Sequence, residues 1–243
     1  MKRIVIVGGA GGIGLSLAHQ LAQRPDVDRI EIVDRNPVPA QFMHPKFQTH
    51  RFDLSDGNYA FFDRFLDCDG LLITAGFGRL ALFKDLDEDY IIRSMDVNAT
   101  AVMRLIHRFY PRLAADRDFY CGVMVSIAGY LSSPFYSVYG ASKAALRIFI
   151  ESVNVELEKS GSDNRILNVS PGSIPGTGFN RGETDLELTA PLARQILEHW
   201  FNKDDLFIPQ YEEVYRTVLE RYHNDFREEG RHSYEYKLKS GRI

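Results

Sequence analysis

Short runs of aliphatic and β-branched residues alternate along the chain with longer stretches whose apolar positions recur every three or four residues. The first kind reads as buried strand and the second as amphipathic helix. Strands are predicted at residues 4–7, 29–33, 47–52, 70–74, 120–126 and 165–169. Helices are predicted at 12–24, 59–66, 87–114, 138–159, 186–201 and 211–225, with Pro111 ending or kinking the third of these. Tyr234, Tyr236 and Leu238 alternate with charges, so 232–238 reads as a late edge strand. Strand–helix alternation implies right-handed βαβ units and a doubly wound parallel sheet between two helical layers, an α/β sandwich. In such a sheet ligands bind beyond the carboxyl ends of the strands. Attention therefore falls on Gly8–Gly14, Asp34, Asp53, Ala75-Gly76, Ser126 and the stretch 171–177.

Composition narrows the class without changing that picture. The chain has 243 residues, 44% hydrophobic and 26% charged, with a formal net charge of −4. That length suits one α/β domain of 1–243, with 178–225 as a helical substrate cover within it. The mild acidity argues against a general nucleic-acid binder. No run approaches the ~18 apolar residues of a membrane helix, and no export signal is legible, so a cytoplasmic location is expected. Two cysteines, Cys68 and Cys121, read as small buried hydrophobes. The seven histidines fall in no metal-ligand spacing, and no metal is expected.

The first strand runs into Val7-Gly8-Gly9-Ala10-Gly11-Gly12-Ile13-Gly14 and then a helix. Glycines let the backbone turn sharply and approach a pyrophosphate, and the helix end offers unpaired N–H groups. Strand context on one side and helix context on the other make this a dinucleotide loop of Rossmann type. The second strand ends at Asp34, an acceptor for both adenosine ribose hydroxyls that repels a 2′-phosphate. NAD is expected as cofactor, with NADP possible because Arg35 follows directly.

Tyr139 and Lys143 stand four residues apart, on one helix face. Alone, such a pair usually marks a solvated surface. An ammonium one turn away also favours the phenolate, making tyrosine a competent proton donor and acceptor. With the glycine loop, Asp34 and Ser126 thirteen residues before the tyrosine, the chain resembles the compact branch of the short-chain dehydrogenase/reductase family. The resemblance covers most of residues 1–177. It implies Tyr139 as general acid and base, Lys143 lowering its pKa and binding the nicotinamide ribose, and Ser126 hydrogen-bonding the substrate oxygen. It further implies that Asn98 holds a water in a proton relay. Cofactor contacts are implied at Gly8, Gly12, Ile13, Gly14, Asp34, Asp53, Leu54, Ala75, Gly76, Tyr139, Lys143, Pro171, Gly172, Ile174 and Thr177. A homodimer or homotetramer is implied as well, through the helices holding Asn98 and Tyr139.

Several residues depart from the family pattern. Val7 precedes the loop where threonine is common, Thr74-Ala75-Gly76 replaces Asn-Ala-Gly, and Thr177 comes one residue late. The substrate, a small alcohol or carbonyl compound, is expected to meet an aromatic wall drawn from Tyr130, Phe135, Tyr136, Phe179 and Trp200, although such residues are more often core. Arg181 is a candidate partner for an anionic substrate. Three functions follow: an NAD-linked alcohol dehydrogenase or carbonyl reductase, an NADPH-dependent reductase of carbonyl or acyl-carrier substrates, and a non-catalytic dinucleotide-binding regulator.

Overall fold

A computed structural model describes residues 1–55, 57–180 and 182–240. Seven parallel strands form one sheet: β1 (Arg3–Val7), β2 (Arg29–Asp34), β3 (Phe47–Arg51), β4 (Gly70–Ile73), β5 (Tyr120–Met124), β6 (Ile166–Val169) and β7 (Leu206–Phe207). Their order is β3-β2-β1-β4-β5-β6-β7. The chain therefore winds outward in both directions from the β1–β4 pair, and the ligand crevice of a doubly wound sheet lies at that reversal.

The helices are α1 (Gly12–Ala22), α2 (Glu88–Met95), α3 (Ala101–Leu113), α4 (Ser137–Lys159), α5 (Leu186–Phe201), α6 (Arg216–Asn224) and α7 (Phe226–Lys239). Strand alternation sends Ile4 and Ile6 toward α1 and α5, and Val5 and Val7 toward α3 and α4. The expected doubly wound α/β sandwich is thus observed, with a core on each face of the sheet. Cys68 and Cys121 are free and buried. No helix among the described residues is long and apolar enough to cross a membrane.

Three local readings change. Residues 232–238 are not an edge strand; they belong to α7, whose N-terminus is capped by Asp225 accepting from Arg227 N at 2.8 Å. The last strand is the two-residue β7, too short to carry a periodic signal. The helix expected at 87–114 is interrupted by a π-helical turn, Asp96–Thr100, between α2 and α3. Pro111 lies inside α3, which stops at Leu113. The segment at 59–66 is a 3₁₀ helix, Tyr59–Phe65, that buries Tyr59, Phe62 and Phe65.

Trp200 belongs to the core and not to an aromatic wall. It is 1% exposed, beneath β4 and β5. A Cβ on Gly70 would come within 2.6 Å of the indole ring and one on Gly122 within 3.1 Å. Two strand glycines thus form the slot that the indole fills. Trp200→Ala is expected to destabilise the fold by about 3–5 kcal/mol in urea denaturation, because the slot cannot collapse. A loss below about 1 kcal/mol would contradict this packing.

Candidate active site

The carboxyl ends of the strands open into a cavity of roughly 1060 Å³. Its first wall is the turn between β1 and α1. Gly8 takes φ 88° and Gly12 φ 50°, both in the region that favours glycine. A side chain at Gly8 would collide with the backbone nitrogen of Ala75, and one at Gly14 with Gly8 O and Thr74 Oγ1. The Thr74 hydroxyl donates to Gly8 O at 2.9 Å. This threonine braces the glycine loop. The N-cap residue of α1 is Gly11, which has no side chain to cap the helix, and the first turn holds no acidic residue. These features fit a dinucleotide pyrophosphate, which needs close backbone approach and free N–H donors.

Asp34 closes β2 with its carboxylate accepting from Ala10 N (3.1 Å) and Asn36 N (2.9 Å). Arg35 stands beside it on the cavity wall. Asp53 accepts from Ser55 N and Oγ, and those hydrogen bonds hold its carboxyl below the usual range. Ile13, Leu54, Ala75, Gly76, Pro171, Gly172, Ile174 and Thr177 also line the cavity. Thr177 is buried and donates to Ile174 O at 3.0 Å.

Ser126 and Tyr139 meet in the same wall. Ser126 follows β5, its Oγ accepting from Ala128 N at 3.2 Å and donating to Pro171 O at 3.4 Å. Tyr139 projects from the first turn of α4 and is 8% exposed. Burial pushes its phenol well above the ordinary value, outweighing the opposing influence of the nearby Ser126 side chain. Lys143 lies behind this wall, 2% exposed, with Nζ donating to Met124 O at 2.8 Å. Its Nζ is 5.8 Å from the centre of the Tyr139 ring. Asn98, on the π-helical turn, is fully buried. Its carboxamide clamps the Phe77 backbone, accepting from N at 2.9 Å and donating to O at 2.8 Å. Lys143 and Asn98 thus back the cavity instead of lining it.

Of the expected aromatic wall, Tyr136 and Phe179 line the cavity and pack with Tyr139 at ring distances of 5.4 and 5.1 Å. Tyr130 instead accepts from Asn168 Nδ2 (2.9 Å), and Phe135 packs on Tyr234 at 4.6 Å; neither lines the cavity. Arg181 lies outside the described residues. Sequence reasoning missed three contributors. Thr184 Oγ1 accepts from Gly12 N at 3.0 Å, at the mouth of the glycine cradle. Tyr215 rests its hydroxyl against Gly172, where no Cβ would fit. Helix α7 supplies a wall of its own. The glycine after Pro171 was the one available signal for the second of these.

A family model described as short chain dehydrogenase matches residues 2–187. An uncharacterized oxidoreductase of Saccharomyces cerevisiae is 28% identical over 198 residues, spanning 78% of this chain and 60% of that protein. Among solved structures, a short chain dehydrogenase/reductase from Burkholderia phymatum in complex with NAD superposes with a TM-score of 0.79 at 18% identity, over 92% of this chain and 93% of that one. A short-chain dehydrogenase from Sphingobium yanoikuyae in complex with NADPH gives 0.73 at 21% identity, over 93% and 96%.

Burial pulls the Lys143 ammonium down to about 7. An unfolded chain keeps lysine near ~10.4, so between those values the unfolded state holds the extra proton. Stability therefore carries the full cost of the buried cation below about pH 7 and recovers it as pH rises toward ~10. Lys143→Met is expected to raise Tm relative to wild type most near pH 6 and least near pH 9.5. A pH-independent difference would contradict the desolvated ammonium.

Proposed function

The chain belongs to the short-chain dehydrogenase family, and we propose that it is an oxidoreductase moving a hydride reversibly between NAD(H) and a carbonyl or secondary alcohol carbon. The observation that carries this reading is the placement of Ser126 and Tyr139 together on the wall of a cavity that also contains the glycine cradle. A bound nicotinamide dinucleotide would supply or accept the hydride at its C4. The remaining chemistry belongs to side chains. Tyr139 is held protonated by burial and hands its proton to the carbonyl oxygen during reduction; in the reverse direction it takes the alcohol proton. Ser126 donates to the same oxygen and stabilises its developing charge. Lys143, one helical turn along α4, favours the phenolate when its ammonium is charged; to bind a nicotinamide ribose its Nζ would have to leave Met124 O. Asn98 sets the backbone at Phe77 and backs the proton route from Lys143.

Asp34 accepts from the adenosine ribose hydroxyls and disfavours a 2′-phosphate, which supports NAD. Arg35 favours a second reading, an NADP-linked reductase, because its guanidinium is on the same wall. Similar folds bind either cofactor, NAD in the Burkholderia phymatum protein and NADPH in that from Sphingobium yanoikuyae.

Tyr139→Phe is expected to bind NADH as wild type does and to lose turnover by about 10²–10⁴-fold, measured on a panel of ketones by NADH absorbance. Near-normal turnover would remove Tyr139 from the mechanism. Asp34→Ala is expected to shift the NADPH-to-NADH ratio of kcat/KM upward by about tenfold, roughly 1.4 kcal/mol. An unchanged ratio would assign cofactor choice elsewhere.

A further inference from the structure

The far wall of the cavity, beyond Tyr139, is built by two helices that the catalytic reading leaves unused. Val214, Val218 and Arg221 recur at helical spacing where the chain enters and follows α6, and all face the cavity. On α7 the cavity-lining residues are Glu229, His232, Ser233, Tyr236 and Lys237, one continuous helical stripe. A helix laid over an apolar ligand turns an apolar stripe inward. Here the inward stripe is polar throughout, and its two ends, Glu229 and Lys237, are 3% and 8% exposed.

This helix is fixed to the segment that leads into α4. Ser132 Oγ donates to Phe226 O at 3.1 Å, and Lys237 Nζ donates to Ser133 Oγ and Pro134 O, each at 2.7 Å. Phe135 takes φ 66° and packs its ring, tilted, on Tyr234. A non-glycine residue there is strained by about 1–3 kcal/mol, which the contacts with α7 offset. The polar wall is therefore held in register with Tyr139.

Within that wall one cation is aimed by its surroundings. Arg221 Nε donates to the buried carboxylate of Glu229 at 2.8 Å. Neither Nη1 nor Nη2 makes a hydrogen bond to a described residue. A carboxylate that grips one edge of a guanidinium leaves the other edge as a planar fork suited to a second anion.

We infer that Arg221, oriented by Glu229, is the anchor for an acidic group on the substrate, so that the enzyme acts on hydrophilic carbonyl or alcohol compounds bearing a carboxylate or phosphate at the end remote from the reacting carbon. This rests on the hydride-transfer reading for the reacting end only; the anchor is testable by binding alone.

The test pairs charged and neutral ligands. Keto acids of four to six carbons are titrated calorimetrically against their methyl esters, and dihydroxyacetone phosphate against dihydroxyacetone, with the same compounds assayed for reduction. Removing Arg221 alone would strand a buried carboxylate, so the variant is Arg221→Gln with Glu229→Gln, its fold checked by thermal melting. Wild type is expected to bind the charged member of at least one pair about tenfold or more tighter, and the paired variant to lose that preference while binding the neutral member unchanged. The acid and phosphate arms separate the two sources of charge. Equal binding of charged and neutral members by wild type, or a preference that survives in the variant, overturns the anchor. Charge-dependent binding without reduction of any compound leaves the anchor standing and overturns the hydride-transfer reading; reduction of neutral ketones without charge preference does the reverse.

Discussion

Gly8 carries no side chain because the backbone of Ala75 occupies the space one would fill. The rest of the site depends on that contact. It brings the turn after β1 against the turn after β4, at the place where the sheet reverses its winding. Gly14 repeats the constraint one helical turn on, against Gly8 O and Thr74 Oγ1. The Thr74 hydroxyl closes the gap with hydrogen bonds to Gly8 O and Val7 O. Backbone against backbone is a rigid arrangement, since neither side has a rotamer to adjust. The start of α1 is thereby aimed into the cavity, and Asp34 reaches back to Ala10 to fix the other side of the loop.

The second half of the site rests on burial. Ser126, Tyr139, Lys143 and Asn98 are each at most 8% exposed. Low polarity around them raises the phenol and lowers the ammonium, so each is held nearer its neutral form. The simple picture of an ammonium depressing a phenol therefore describes only part of the electrostatics. Lys143 Nζ donates to Met124 O, and desolvation dominates both groups. The opposing shifts suit a group that must keep its proton until a carbonyl oxygen arrives.

What was legible in the sequence was whatever the backbone geometry forces on residue type. The glycine loop, the acid at the end of β2 and the four-residue spacing of Tyr139 and Lys143 all leave such marks. The two strand glycines, Gly70 and Gly122, also left one, which reads correctly only once Trp200 is placed against them. The C-terminal part misled because its helix turns polar side chains toward the cavity. Glu229, His232, Ser233 and Lys237 point inward, so no apolar stripe marks the helix, and the alternation of Tyr234, Tyr236 and Leu238 stood out instead. The π-helical turn at Asn98 has no pattern of its own, and neither does the approach of Thr184 to Gly12 across the chain.

The central claim is that these converging turns hold a nicotinamide and a carbonyl compound for direct hydride transfer. Mass spectrometry of the product formed with NADH carrying deuterium at both nicotinamide C4 positions tests it most directly, using the ketones and keto acids that bind. Direct transfer predicts an alcohol carrying the deuterium on the former carbonyl carbon, retained in ordinary water. An alcohol without the label, or a label exchanged with solvent, would contradict the account.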